Sequence, residues 1–355
     1  MTDTVGIAGI GTYSPEGYLT SKEIAEATGF PEWVVRDKLG IHKKHVGGPD
    51  DQPNEMGIKA ALDCLENSGI DPKEIDVVLN TTEEWREYLL WTSGIHMAYE
   101  IGATNAWAMD IHTRCATTVG AMKIAKDMMI ADPEVNTILI AGGYRVSDFI
   151  NFKNKRTSFL WNIGSGGGAL LLRKNHPRNQ VLGSHLMADG FMSKHVIVPA
   201  SGTVQYPNPQ AMAKPQNVNE EDFYFDLVEL EAMKDRLNAV SMDNWVHCVN
   251  EALRKSGTKP DGTPYTKADL DFLNIVLIKP SGHRDMLARL GLTEEQSVYL
   301  NEIGHTGEQD AMFGIREGVA QGRLKEGDLM AIVAAGIGYV WAASVVRWGR
   351  LQTSA

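Results

Sequence analysis

The sequence contains few cysteines and no long hydrophobic run. Its three cysteines, Cys64, Cys115 and Cys248, are widely spaced, a pattern that predicts neither a disulfide framework nor a zinc site. No apolar run reaches the roughly 18 residues of a membrane span, and the N-terminus lacks a basic stretch followed by an apolar one. We therefore expect a cytoplasmic protein without a membrane segment or a metal.

Basic residues are also in short supply. The chain has 34 Lys and Arg against 45 Asp and Glu, a formal net charge of -11. Binding to nucleic acid requires a clustered excess of cations, so no nucleic-acid partner is expected. The length of 355 residues, with 43% hydrophobic residues and 35 glycines, suits a globular α/β enzyme built as one large unit or two similar halves.

Cys115 stands at the junction of a predicted strand and a predicted helix. The run AWAMDI before it is short and apolar, and the apolar residues after it, Val119, Met122, Ala125 and Met129, have helical spacing. The N-terminal end of a helix favours a thiolate over a thiol. The position thus indicates a nucleophile, and the alternative is a small buried core cysteine.

The pattern of strands and helices in the first half recurs in the second. The glycine-ended apolar run 137–143, TILIAGG, has a counterpart in 329–338, LMAIVAAGIG. Such pairs predict an internal duplication in which each half is a mixed sheet covered by helices. We place the N-terminal half, with the nucleophilic cysteine, at residues 1–175 and the C-terminal half at residues 176–355.

Two histidines of the second half, His283 and His305, follow predicted strands. If the halves pack together, loops at equivalent strand ends meet, and both imidazoles are then expected beside Cys115. Imidazoles there can activate the thiol, polarise a thioester carbonyl and move protons. Each histidine taken alone could instead be structural or merely exposed.

Four segments resemble the ketoacyl synthase III branch of the thiolase superfamily. PEWVVRDKLGIHKKHV resembles the branch's DEW…RTGI segment, MDIHTRCATTVGA its nucleophile segment, NIGSGGGALLL its GDGAGA strand, and GIGYVWAASVVRW its C-terminal strand. The resemblance covers nearly the whole chain. It implies a five-layered α/β/α/β/α fold, a homodimer, and a place in fatty acid or polyketide metabolism.

The same resemblance implies a reaction and its residues. Cys115 matches a nucleophile that is acylated by an acyl-CoA or acyl-carrier thioester and then attacked by a carbon nucleophile in a Claisen condensation. His283, in GHRDML, matches the histidine of the family's HQAN segment. The amides of Cys115 and Ile337 match the oxyanion hole. No cofactor is implied beyond coenzyme A thioesters as substrates.

Residues for binding coenzyme A are implied in the same way. Trp33 and Arg156 match the pair that flanks the adenine of coenzyme A, and Arg36 lies near the arginine of the family's TRTG segment. The aromatic segment 85–91, WREYLLW, falls where the family's loop enters the partner's acyl pocket, so it is expected at a dimer interface.

The chain also departs from the branch. His305, in GHTGEQD, replaces the asparagine of the GNTS segment, and Met286 replaces the asparagine of HQAN. An imidazole at position 305 is expected to donate to a thioester oxygen in the second half-reaction. Hydroxymethylglutaryl-CoA synthases use a glutamate near the position of Glu83 as general acid/base. Glu83 is therefore a candidate acid/base, with a surface carboxylate as the alternative.

Several functions remain open beside ketoacyl synthase III-like condensation. They are hydroxymethylglutaryl-CoA synthase-like or thiolase-like condensation, acyl transfer to a hydroxyl or amine, and a non-catalytic subunit of a condensing complex.

Overall fold

The computed structural model describes residues 3–203 and 219–350. Within them the α-helices are α1 (Ser21–Thr28), α2 (Pro53–Ser68), α3 (Ser93–Glu100), α4 (Thr117–Ala131), α5 (Leu230–Arg254), α6 (Pro280–Leu290) and α7 (Asp310–Ala320). The strands are β1 (Val5–Tyr13), β2 (Tyr18–Thr20), β3 (Lys43–His45), β4 (Val77–Asn80), β5 (Trp107–Asp110), β6 (Thr137–Tyr144), β7 (Gly166–Lys174), β8 (Arg178–Ala188), β9 (Val196–Ile197), β10 (Asp226–Leu227), β11 (Phe272–Ile275), β12 (Leu329–Gly336) and β13 (Val340–Arg350). None of these helices is long and apolar enough to cross a membrane.

The large sheet has the strand order β11-β12-β13-β8-β1-β7-β6-β4-β5. Its strands form two groups, the first running from β11 to β8 in this order and the second from β1 to β5. All residues of β4 and β6 are buried, as expected for parallel strands covered on both faces. The two groups meet where β1 pairs with β8, and that pairing consists of the single pair Gly6 and Gln180. The sheet is therefore nearly divided into an N-terminal and a C-terminal part.

Helices cover both parts of the sheet and fill the space between them. Helices α2 and α3 pack on strands of the N-terminal part, while α5 packs on β8 and β13 of the C-terminal part. Helices α4 and α7 contact strands of both parts, so they form a central layer. The five-layered α/β/α/β/α fold expected from the sequence is confirmed, and the helix that follows Cys115 lies in its middle.

The two parts also follow one topology. Each has a parallel pair, β4 with β6 and β11 with β12, followed by an antiparallel neighbour, β7 or β13. The counterpart of β5 is reduced in the second part to one bridge between Leu273 and Ser297. This correspondence supports two duplicated halves, and the boundary at residues 175 and 176 stays a prediction.

Candidate active site

Cys115 lies in the turn between β5 and α4, two residues before the helix begins. Arg114 before it has a left-handed backbone with φ of 55°, a conformation that non-glycine residues adopt rarely and often at functional sites. The Thr117 hydroxyl secures the turn because it donates to the Arg114 carbonyl at 2.6 Å and accepts from the Thr113 amide at 2.7 Å. The strand-turn-helix predicted around Cys115 is thus present.

His305 connects the nucleophile to a buried carboxylate. Its Nε2 lies 3.2 Å from the Sγ of Cys115, and its Nδ1 lies 2.6 Å from Oδ2 of Asp310. Asp310 is fully buried and also accepts hydrogen bonds from the amides of Leu277 and Thr306 and from the Thr306 hydroxyl. A nucleophile, a base and a third group that orients the base form the arrangement used to activate weak nucleophiles.

The charge of this relay follows from its partners. Burial alone lowers the pKa of the His305 imidazole, but the Asp310 carboxylate and the Cys115 sulfur outweigh burial and hold that pKa well above its usual value. These partners therefore favour the protonated form of the imidazole. A positive charge 3.2 Å from Sγ stabilises negative charge on the sulfur, which is the form that attacks a thioester.

Two backbone hydrogen bonds and a glycine turn fix the position of His305. His305 donates its amide to the Asn162 carbonyl at 2.8 Å and accepts from the Gly164 amide at 2.8 Å. Two residues later Gly307 has φ of 64°, and a Cβ there would lie 2.4 Å from the ring of Tyr144. Only glycine fits this turn without displacing the Tyr144 ring. The turn at Gly307 and the segment just before β7 therefore fix the position of the imidazole.

Two further carboxyl groups lie at the site. Glu83 is buried, not a surface carboxylate, and Arg114 Nη1 lies 3.3 Å from its Oε2. Burial raises the pKa of Glu83 to about 7 although Arg114 opposes the change. Glu308 is also buried and lines a narrow cavity together with Cys115. Sequence reasoning missed Asp310 and Glu308 as functional residues, since nothing in GHTGEQD marks its acidic residues as buried.

The amides expected to form an oxyanion hole are close to the nucleophile turn. Ile337 lies between β12 and β13, and the Cβ position of Gly336 beside it is 2.6 Å from the Thr113 carbonyl oxygen. Within the described residues, the amides of Cys115 and Ile337 donate no hydrogen bond to the protein. Both donors are therefore available to an oxygen of a substrate.

His283 occupies a different place from the one expected. It lies on α6 and lines a second cavity of about 400 Å³ together with Arg36. Within the described residues no hydrogen bond joins it to Cys115, and its ring packs edge-on against Tyr299 with centroids 5.2 Å apart. Burial lowers the pKa of His283 to about 4. The residue that follows β11 and lines the Cys115 cavity is Val276. Of the two histidines expected at the thiol, His305 is therefore the one in contact with it.

The residues expected to bind coenzyme A lie at the surface. Trp33 is 53% exposed, and Arg36 is paired with its neighbour Asp37 at 2.9 Å. Arg156 donates to the Leu227 carbonyl at 2.6 Å. The segments of Trp33 and Arg156 approach each other, because the Lys155 amine lies 5.3 Å from the centre of the Phe30 ring.

Comparison with known proteins identifies the same fold and class. The family model described as 3-oxoacyl-[acyl-carrier-protein (ACP)] synthase III matches residues 109–190, and the model of its C-terminal part matches residues 261–348. The β-ketoacyl-[acyl-carrier-protein] synthase III of Caldanaerobacter subterraneus is 26% identical over 97% of this chain and 98% of its own length. That of Symbiobacterium thermophilum is 25% identical over 98% of both chains.

Among solved structures, the 3-oxoacyl-[acyl-carrier-protein] synthase III of Aquifex aeolicus superposes with a TM-score of 0.79. The superposition covers 97% of this chain and all of that one, at 18% identity, and it shows the shared fold. Cys115 stands at the start of a central helix of this fold, and the relatives named above are condensing acyltransferases. The family models and the relatives thus indicate a ketoacyl synthase III-like enzyme.

Proposed function

We propose that this enzyme transfers an acyl group from an acyl-CoA or acyl-carrier thioester to Cys115 and condenses it with a carbon nucleophile. The observation that carries the proposal is the contact of His305 Nε2 with the Cys115 sulfur, backed by Asp310. A reaction of this kind belongs to fatty acid metabolism, in agreement with the names of the relatives.

In the first half-reaction the Cys115 thiolate attacks the thioester carbonyl carbon. The amides of Cys115 and Ile337 donate to the oxyanion of the tetrahedral intermediate. When the intermediate collapses, the carbon-sulfur bond to the carrier breaks, and the protonated His305 gives its proton to the leaving thiolate. The acyl-cysteine and a neutral imidazole remain. His305 thus acts as an acid in this step. Because its remaining proton lies on Nδ1 against Asp310, Nε2 must take up a proton again before it can be the donor that the sequence predicts for the second half-reaction.

In the second half-reaction a carbanion attacks the acyl-cysteine carbonyl and Cys115 leaves as thiolate. In a ketoacyl synthase III-like reaction the carbanion is the enolate left when a malonyl thioester loses carbon dioxide. Glu83 favours a second candidate, hydroxymethylglutaryl-CoA synthase-like or thiolase-like condensation. Its buried carboxyl group, with a pKa of about 7, can exchange a proton with a substrate at neutral pH.

The remaining alternatives receive less support from the site. Acyl transfer to a hydroxyl or amine would need a base for that acceptor, and the candidates are Glu83 and the neutral His305 that acylation leaves. A non-catalytic subunit of a condensing complex has no need for a nucleophile whose charge is stabilised by His305 and Asp310. The intact relay therefore supports a catalytic chain.

The carrier of the acyl group is proposed to bind along the exposed edge that contains Trp33, Arg36 and Arg156. Their half-exposed side chains suit a charged, nucleotide-bearing thioester. His283 and Arg36 share the second cavity, so we assign His283 to the wall of this binding region and leave proton transfer to His305.

A homodimer is part of the proposal. Tyr88, Leu89 and Leu90 are all more than 70% exposed, and β5 is an edge strand of the large sheet. Exposed apolar side chains near an unpaired edge favour pairing with a second copy. Location in the cytoplasm belongs to the same proposal, since three buried free thiols suit a reducing compartment.

The test is to incubate the protein with acyl-CoA thioesters of different chain length and measure its intact mass. A mass increase equal to one acyl group, absent in Cys115→Ala, supports the proposal. Malonyl-CoA and a second equivalent of acyl-CoA are then offered separately to the acylated protein, and the products show which carbon nucleophile it accepts. Failure of every thioester to label the folded protein would contradict the acyl-enzyme.

A further inference from the structure

The site described above has one imidazole, whereas a thioester enolate needs more than one donor at its oxygen to be well stabilised. Val276, which follows β11, lines the Cys115 cavity, whereas His283 lies in the second cavity. A second donor must therefore come from another side chain on that wall. Of the polar side chains lining the cavity of Cys115, Thr118 and Asn274 already donate to the carbonyls of Glu308 and Ala311, which leaves Glu308.

Glu308 is held rigidly against the helix that carries the nucleophile. Its carbonyl accepts a hydrogen bond of 2.7 Å from the Thr118 hydroxyl on α4. Its Oε1 accepts a hydrogen bond of 2.8 Å from the side-chain amide of Gln309, which also donates to the Thr81 hydroxyl at 3.1 Å. The side chain is 1% exposed, so its position is set by these contacts and not by solvent.

The second carboxyl oxygen of Glu308 has no partner. Oε2 is buried and, among the described residues, makes no hydrogen bond. A charged carboxylate in that position would lie in a dry environment near the acidic groups of Glu83 and Cys115. Burial, followed by the charges of Glu83 and Cys115, raises the pKa of Glu308 well above its usual value, although His305 opposes the change.

We propose that Glu308 is a catalytic residue that donates a hydrogen bond from a protonated Oε2 to the thioester carbonyl oxygen of the second substrate. The inference rests on the proposed condensing function and adds to it the second donor that His283 does not provide. Glu308 keeps its proton, so no proton is gained or lost in the step. A neutral carboxylic acid is suited to this role because it supplies a donor without adding negative charge beside the enolate.

Glutamine and methionine separate this role from a structural one. In Glu308→Gln the amide oxygen can accept from Gln309 while the NH₂ group takes the place of the Oε2 proton. Methionine has similar length and no donor. We expect condensation to fall at least about 100-fold in Glu308→Met and to stay within about tenfold of the parent in Glu308→Gln. Glu231→Gln, which changes an exposed carboxyl on α5, is the control for a Glu-to-Gln change outside the site.

Two readouts keep the test independent of the proposed function. Acylation of Cys115, followed by intact mass, should proceed in both variants, so loss of labelling in the parent would be a failure of the proposed function and not of this inference. Infrared spectra taken above the pKa of about 7 of Glu83 should contain a protonated-carboxyl band that Glu308→Gln lacks. The inference is overturned if that band is absent from the parent, or if the folded Gln variant loses condensation as completely as the Met variant.

Discussion

Two buried histidines of this enzyme show what a counterion does to an imidazole. His305 and His283 are both less than 10% exposed, and burial lowers the pKa of each. His305 has the carboxylate of Asp310 at 2.6 Å, and its pKa ends well above the usual value. His283 has no such partner among the described residues, its Nδ1 makes no hydrogen bond, and its pKa falls to about 4.

This difference in pKa gives the two histidines different roles. His305 can carry a proton in the reaction, whereas His283 forms part of the wall of the binding region. Burial removes water from both imidazoles, and only a fixed opposite charge compensates the loss of hydration. A charged imidazole beside a sulfur can activate it and protonate a leaving thiolate. A neutral imidazole against Tyr299 can shape a cavity and accept or donate a hydrogen bond. The predictions below test this division.

The largest effect is expected at the sulfur to which His305 is connected. Cys115→Ala should remove covalent acylation below detection, because no other group of the cavity can form the acyl-enzyme. The fold should persist, since the change deletes one small side-chain atom. Thermal melting and acyl labelling on the same preparation check both statements, and labelling of the folded variant would exclude Cys115 as nucleophile.

Loss of the counterion is expected to have the next largest effect. Asp310→Asn should slow acylation about 100-fold or more, because His305 then loses the charge that keeps it protonated and oriented. His305→Ala should lose a similar factor, and the double variant should be little worse than either, since the two groups act as one unit. Rates of acyl-enzyme formation measured by quenched flow give all three values. Additive losses would show that Asp310 acts independently of His305.

An intermediate effect is expected at Glu83, because its pKa of about 7 lets the carboxyl group change charge near neutral pH. Above that pH it becomes negative beside Cys115 and the developing oxyanion, so condensation should slow as the pH rises through about 7. Glu83→Gln should remove this limb of the pH profile while acylation of Cys115 continues. Product formation across pH, started from pre-acylated enzyme, gives the result. A limb that persists unchanged in Glu83→Gln belongs to another group.

Much of this site follows from the sequence, and the reasons are local. The strand and helix around Cys115 are set by residues within the segment itself, so their apolar spacing predicts them. His305 could be predicted because the second half repeats the first and places GHT at the turn equivalent to that of Cys115. The fold follows from four motifs that span nearly the whole chain.

The remaining features depend on contacts between distant segments. Whether Glu83 is exposed depends on Arg114 and on the loop of His305, which lie far from it in sequence. His283 matches a motif, but α6 begins at Pro280 and carries the histidine past the wall that Val276 occupies. A motif match does not register where the helix that carries the histidine begins. The carboxylate of Asp310 has no sequence signal, because its burial involves the Leu277 amide of a distant segment as well as His305 and Thr306 of its own loop.

The smallest effect is expected at His283. His283→Gln should change the rate of acylation less than about tenfold, whereas His305→Gln should lower it about 100-fold or more. Its larger consequence concerns stability. The folded chain resists protonation of His283 until about pH 4, while the unfolded chain takes up the proton near 6.5, the ordinary histidine pKa. The stabilisation is therefore complete above pH 6.5 and is lost as the pH falls from there to about 4. This difference in pKa corresponds to a change of at most about 3 kcal/mol in the free energy of unfolding.

Denaturant unfolding of the parent and His283→Gln at neutral and at mildly acidic pH measures this contribution of His283 to stability. Between the two conditions the parent should lose more stability than the variant, because the variant has no imidazole to protonate at this position. Tyr299→Phe is a matched control, since it keeps the edge-on ring packing against His283 and removes only the hydroxyl bonded to the Ile278 carbonyl. Equal losses of stability in parent and His283→Gln would show that protonation of His283 does not cost stability. A loss of acylation in His283→Gln as large as in His305→Gln would place His283 in the catalytic unit and remove the distinction between the two imidazoles.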